Sequence, residues 1–421
     1  MTSREKTATL GFSTRRAPAM ARGGRPGSVD RWLAGKLLEA SGDPPIAIVL
    51  WDGEEVATGN VTPRSRMLVR NRGALLRLFR NPNIEFGDLY SAGEVDVEGD
   101  LRVFLEAVYR GVNEAAESAS LRSHFARTLK RPRPNTLRGS RENIHHHYDI
   151  GNEFYTRWLD RDMQYTCAYF PSPAIDLEEA QLAKMEHVCR KLRLRAGETV
   201  VEAGCGWGGL ARYMAREHGV KVRSYNISHE QVAYARQKAE EEGLSGRVEY
   251  VEDDYRNISG DFDAFVSVGM LEHVGTDNYP QLGGIIDRVL KDRGRGLIHS
   301  IGRNKARLMN GWIEKRIFPG AYPPTLGEAM RIFEPFDLSV LDVENLRLHY
   351  AKTLEHWLDR YENNLEWVRN NFDERFARAW HLYLAGSIAA FTTGSLQLFQ
   401  IVFARATDNE LPWSRAHLYQ P

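Results

Sequence analysis

Between residues 199 and 301, short aliphatic runs alternate with stretches of helical spacing. Five runs read as strands: Thr199–Glu202, Lys221–Asn226, Arg247–Val251, Phe262–Val268 and Gly296–Ile301. Repeated strand–helix units predict an α/β fold, a mostly parallel sheet with helices on both faces. Ligands of such sheets sit beyond the carboxyl ends of the strands. Glu202, Asn226, Asp254, Gly269–Glu272 and His299–Ile301 fall at or just after those ends. Between the first strand and its helix lies Gly204-Cys-Gly-Trp-Gly208, where missing Cβ atoms let the backbone pass close to a ligand. The loop lacks the Gly-Lys-Ser/Thr ending of a triphosphate cradle. Ser228, with Gln231 three positions on, reads as a capping box opening the helix after the second strand.

Upstream the pattern changes. Residues 1–27 are rich in Arg, Gly, Ser and Thr and read as a disordered basic arm. Val29–Leu38 reads as an amphipathic helix, and Ile46–Ala57 as a hairpin with a two-residue turn at Asp52-Gly53. Residues 28–128 are expected to form a small α+β domain. Residues 129–140, with two prolines and a Gly-Ser pair, read as a linker, and 141–421 as a second, larger domain.

Charge and cysteine content narrow the classes. Lys and Arg number 56 and so do Asp and Glu, so no global positive field suits nucleic acid. The charge is uneven, however. The arm and the run Arg122, Arg127, Lys130, Arg131, Arg133, Arg138 and Arg141 are basic, which reads either as solvated linker charge or as a pattern drawn to anionic lipid surfaces. Three cysteines, at 167, 189 and 205, fit a reducing cytoplasm without a disulfide framework. Cys189 shares a helical stripe with Met185, Val188 and Leu192 and reads as core. No apolar run reaches the roughly 20 residues that span a bilayer. The N-terminus has no apolar secretory segment. Adjacent His145, His146 and His147 cannot converge on one ion from a regular element, so no metal is expected.

Glu-x-Gly-x-Gly-x-Gly at 202–208 resembles the first motif of the S-adenosylmethionine-dependent methyltransferases. Further segments resemble the cyclopropane fatty acid synthase family. They are His146-His-Tyr-Asp-Ile-Gly-Asn152, Met163-Gln-Tyr-Thr-Cys-Ala-Tyr169, Ser267-Val-Gly-Met-Leu-Glu-His-Val-Gly275 and His299-Ser-Ile-Gly302. The likeness covers about residues 140–405. It implies a Rossmann-like class I methyltransferase domain with helical lipid-binding additions, preceded by the small α+β domain.

The resemblance also implies a reaction: methyl transfer from S-adenosylmethionine to the cis double bond of an unsaturated phospholipid acyl chain. An alkene needs no base to attack. The demand falls on the resulting cation, which must be kept from water and relieved of one proton. In the family a bound bicarbonate is held to take that proton. Carried over, its site comprises Cys167, Glu272, His299 and Tyr350, with Ile301 contributing backbone. Glu272 would accept from the bicarbonate hydroxyl, and His299 and Tyr350 would donate to its oxygens. The cofactor would meet Tyr165, Thr166, Glu202, Gly204, Cys205, Gly206, Asn226, Gln231, Asp254 and Tyr255. Asn226 stands where relatives often have Thr, and Arg256 receives no role. The aromatic stretches at Trp312–Pro319 and Phe391–Phe403 read mostly as core, with a few positions lining an acyl tunnel.

The partners implied are the phospholipid and an anionic membrane surface, which the protein would meet peripherally from the cytoplasmic side. A homodimer stays open. So does the fate of the proton: lost from elsewhere, it leaves a methylene branch that a partner reductase would convert to a methyl branch. More distant alternatives are a small-molecule O- or N-methyltransferase and a non-catalytic lipid-binding protein.

Overall fold

The computed structural model describes residues 24–58, 62–118 and 150–419. The basic arm up to residue 23, the basic run from Arg122 to Arg141, the linker at 129–140 and the three adjacent histidines lie outside the described residues.

The chain forms two compact units. The first joins the described residues up to 118 with Leu308–Pro319 and Leu354–Ser395; the second joins 150–307 with Gly320–Thr353 and the chain from Leu396 onward. The first unit therefore draws on sequence well beyond 28–128. Trp312 is one such contribution. Its indole Nε1 donates to Asp88 at 3.1 Å within that unit, a packing role.

The first unit carries a four-stranded sheet, β1 (Ile46–Val49), β2 (Glu55–Ala57), β3 (Ser65–Val69) and β4 (Val95–Glu98), in the order β2-β1-β3-β4. The hairpin between β1 and β2 forms, but with a three-residue loop in place of a two-residue turn. Leu50 N–H still bonds Glu54 O at 3.0 Å, leaving Trp51, Asp52 and Gly53 to turn, with Gly53 at φ +90°.

The second unit is built on seven strands: β5 (Thr199–Ala203), β6 (Lys221–Asn226), β7 (Val248–Glu252), β8 (Phe262–Val268), β9 (Leu290–Gly302), β10 (Leu338–Asn345) and β11 (Gln397–Arg405). Their order is β10-β11-β9-β8-β5-β6-β7. The five strands expected from sequence are mutually parallel. The sheet continues beyond them, because β11 runs antiparallel between β9 and β10. Chain order proceeds outward from β5 to β7, then returns to β8 on the other side. The switch point thus lies between β5 and β8, where this architecture places its ligand.

Period-two alternation divides the core between the two faces of the sheet. Val200, Val222, Ala264, Leu297 and Val402 pack with Met185, Val188, Cys189 and Leu192 on one face. Val201, Phe265, Ile298, Ile401 and Phe403 pack on the other. Phe399 and Phe403 belong to that second core. Among the described residues, no helix is long and apolar enough to cross a membrane.

Candidate active site

Three of the expected site residues arrive on one turn. The buried Asp160 carboxylate accepts from the backbone N–H of Asp162 (3.1 Å) and Gln164 (2.8 Å). This closes a loop in which Met163 adopts φ +56°, a conformation side chains rarely take and that a site can impose. Tyr165, Thr166 and Cys167 follow directly. Beyond them the chain is pinned again. Ala168 N–H donates to Thr353 Oγ1 at 3.0 Å, and Phe170 N–H to His349 Nδ1 at 2.9 Å. The Tyr169 ring stacks on His187 at 4.1 Å and on His349 at 5.0 Å. Cys167 is buried and its Sγ donates to the Ala168 carbonyl at 3.1 Å. Burial pushes the thiol well above its ordinary range, so it is a neutral group. Tyr350 is buried as well. Its N–H donates to the Leu346 carbonyl at 3.2 Å, and the same oxygen lies 4.0 Å from the Cys167 sulfur.

The ends of β8 and β9 supply the acid and the imidazole. Gly269 N–H donates to the His299 carbonyl at 2.9 Å, joining the two strand ends. Glu272 follows in a short 3₁₀ turn and is buried. Its Oε1 accepts the Ile301 N–H at 2.6 Å, while its Oε2 has no partner. Ile301 N–H is therefore spent on orienting Glu272, and what this residue offers the site is that constraint. His299 is two positions earlier on β9, buried, with Nδ1 3.0 Å from Gln400 Nε2 and Nε2 without a partner. Burial raises Glu272 to about 7 and lowers His299 to about 3.

The residues expected at the cofactor divide into holders and supports. Gly204 and Gly208 adopt φ +88° and +79°. At Gly208 a Cβ would stand 2.5 Å from the Tyr250 hydroxyl oxygen and 2.7 Å from Ala235 Cβ. Tyr250 instead donates to the Gly208 carbonyl at 2.7 Å. Asn226 is a support. Its Nδ2 bonds Gly206 O (3.2 Å) and Gln231 Oε1 (2.8 Å), and its Oδ1 accepts Ser228 N–H at 3.1 Å. Gln231 consequently does not complete a capping box; its side chain turns to Asn226, and its Nε2 is buried without a partner. Ser228 still caps the helix, accepting Gln231 N–H at 3.5 Å. Glu202 accepts the Ser224 hydroxyl, and burial raises it to about 7. Cys205, three positions on, is buried, its Sγ 3.5 Å from Gly206 O. Asp254 accepts the Arg256 N–H at 3.0 Å and faces its guanidinium at 3.1 Å. That guanidinium also lies 4.9 Å from the Tyr255 ring centroid, so Arg256, given no role from sequence, contacts both Asp254 and Tyr255.

Other contributors were not singled out from sequence. Tyr165 packs with Trp158 (5.3 Å) and Tyr155 (5.5 Å), and Tyr155 with Trp207 of the glycine loop (4.9 Å). Lys184 is fully buried and donates to Gln164 Oε1 and, at 3.0 Å, to Thr166 Oγ1. Burial lowers it to about 8, against the pull of Asp160. It sits on the stripe-bearing helix Leu177–Leu192, where a lysine next to Met185 reads as a solvated edge. No sequence signal marked it.

Comparison with known proteins agrees with this architecture. A family described as mycolic acid cyclopropane synthetase matches residues 135–401, and one described as a domain of unknown function (DUF7884) matches 33–120. A probable fatty acid methyltransferase of Pseudomonas putida is 36% identical over 394 residues, covering 89% of this chain and 96% of that protein. The cyclopropane-fatty-acyl-phospholipid synthase of Escherichia coli (strain K12) is 41% identical over 270 residues, 64% of this chain and 69% of that protein. The crystal structure of mycolic acid cyclopropane synthase CmaA1 complexed with SAH and CTAB aligns with a TM-score of 0.60 at 26% identity, covering 63% of this chain and 98% of that one. Fold, glycine loop and relatives together define an S-adenosylmethionine-dependent methyltransferase. The chain belongs to the mycolic acid cyclopropane synthetase family, and its chemistry is methyl transfer to lipid acyl chains.

The described residues fit that cofactor. Gly206, at φ +51°, has open space where a Cβ would stand. Gln231 Nε2 and Tyr255 OH are buried polar atoms without protein partners.

Proposed function

We propose that the protein methylates the cis double bond of an unsaturated phospholipid acyl chain and closes it to a cyclopropane, with bicarbonate held by Cys167, Glu272, His299 and Tyr350. S-Adenosylmethionine, when bound, supplies an electrophilic methyl group, and bicarbonate, when bound, supplies the base. The chain's own residues hold and exclude. Gly204, Cys205, Gly206, Gln231, Asp254 and Tyr255 hold the cofactor, with Glu202 and Asn226 bracing the loop, and Tyr165 and Thr166 cover its methionine end. Cys167, Glu272 and His299 are buried, which keeps water from a cation formed on the acyl chain.

One observation carries this reading. Glu272 Oε2 and His299 Nε2 are buried, unpartnered and set at adjoining strand ends. Buried polar atoms left unsatisfied are costly, so a ligand with both a donor and acceptors is called for. Bicarbonate has a hydroxyl for Glu272 and charged oxygens for His299, which accounts for a carboxylate beside an anion.

A second reading shares every step to the cation and ends in a methylene or methyl branch, which would bring in a partner reductase. The Pseudomonas putida relative, which covers 89% of the chain, is named a probable fatty acid methyltransferase, whereas the Escherichia coli cyclopropane synthase covers 64% of it. The phospholipid would be met at the inner face of the membrane by peripheral attachment, with 28–128 contributing to docking. The deciding experiment incubates the purified protein with S-adenosylmethionine, bicarbonate and vesicles of a monounsaturated phospholipid, and reads the product by NMR. Cyclopropane methylene protons are expected; vinylidene (=CH₂) protons would establish the second reading, and unmodified lipid would reject both.

A further inference from the structure

Being neutral, His299 carries its proton on one ring nitrogen only, and which one decides whether it can hold an anion. Across the β9–β11 ladder, Gln400 is its direct partner. Gln400 is fully buried on a strand whose neighbouring residues Leu398, Phe399, Ile401, Val402 and Phe403 are all apolar and buried. An amide there is not explained by packing, and its Oε1 has no partner. Its Nε2 does: it lies 3.0 Å from His299 Nδ1. With the amide nitrogen toward the ring, Nε2 of Gln400 donates, the Nδ1 it faces accepts, and the ring proton sits on His299 Nε2. Nε2 is the atom left without a protein partner.

We propose that Gln400 is a positioning residue that locks His299 in the Nε2–H form, so that the ring presents a donor to the bound anion. The identity of that anion rests on the bicarbonate reading; the tautomer does not. Glutamine suits the task because it neither gains nor loses a proton near neutral pH. A carboxylate at 400 would draw the proton to Nδ1 and leave a bare acceptor facing the anion. A reversed amide, with Oε1 toward Nδ1, would do the same.

The test is a nitrogen NMR measurement on the full chain labelled with ¹⁵N-histidine, His299 being identified by its loss in His299→Asn. In the unmodified sequence, Nε2 is expected in the protonated range and Nδ1 in the unprotonated range, throughout neutral pH. A protonated Nδ1 would overturn the proposal; the reading is taken on the unmodified sequence, and the variant serves only to assign the signal. Gln400→Glu is expected to move the proton to Nδ1, and Gln400→Met to give a mixture. In turnover, Gln400→Met is expected to raise the half-saturating bicarbonate concentration about tenfold, with the KM for S-adenosylmethionine unchanged. An unchanged bicarbonate requirement in that variant would overturn the positioning role. If wild-type turnover ignored bicarbonate while Nε2 stayed protonated, the anion reading would fall and the tautomer lock would stand.

Discussion

Burial moves Glu272 and His299 in opposite directions, to about 7 and about 3, and each shift has a consequence that can be measured. Glu272 in the fold binds its proton more tightly than the ordinary 4.5 of an exposed glutamate. Stability from this group is therefore fully present below 4.5, falls as pH rises toward about 7, and stays low above it. Glu272→Gln is expected to be more stable than the wild type in alkaline buffer, by about 1–3 kcal/mol, and to lose that advantage in acid. Thermal melts across pH check this, and equal melting at all pH values would deny the burial cost. The same variant should still bind S-adenosylmethionine but lose turnover by about 100-fold or more. Wild-type turnover should rise with pH through about 7 as Glu272 ionises and can accept the hydroxyl of the proposed bicarbonate. A flat profile across that window would remove the carboxylate from the mechanism.

At the scale of elements, the glycine loop is held from three sides: by Tyr250 on Gly208, by Asn226 on Gly206, and by the Tyr225 carbonyl on Gly204 N–H at 2.9 Å. Gly208→Ala forces a Cβ toward the Tyr250 hydroxyl at a positive φ. A loss of about 2–4 kcal/mol is expected, with weaker cofactor binding by calorimetry; an unperturbed variant would mean the loop is looser than described. The loop, the five parallel strands and the acidic strand ends were legible because aliphatic runs and glycines declare themselves locally. β9 was underestimated because its first half, with Lys291, Asp292 and Arg293 exposed, reads as polar loop. β10 and β11 escaped because their pairing inverts the βα rhythm. Lys184 and Gln400 escaped for a related reason: a buried polar residue within an apolar run has no local signature, and its meaning lies in a partner distant along the chain.

On the whole molecule, the first unit bears an apolar surface of its own. Val29 and Trp32 on one helix are 55% and 57% exposed, and Leu76 and Phe79 on the next 48% and 42%. The Trp32 and Phe79 rings lie 6.2 Å apart, with the exposed Arg80 adjacent in sequence to Phe79. Apolar side chains with basic neighbours suit the headgroup boundary of an anionic bilayer. The double variant Trp32→Ala, Phe79→Ala is expected to lower partitioning onto anionic vesicles by about tenfold or more in a sedimentation assay. Unchanged partitioning would remove this face from the proposed membrane docking. The central claim is that the acyl chain itself receives the methyl group. Its most direct test supplies S-adenosylmethionine carrying an isotopically labelled methyl to the purified protein and monounsaturated phospholipid vesicles, then locates the label by mass spectrometry. Label in the acyl chain at the former double bond, heavier by one CH₂, is the expected result. Label confined to headgroups, or to water-soluble products while the double bond survives, would contradict the account.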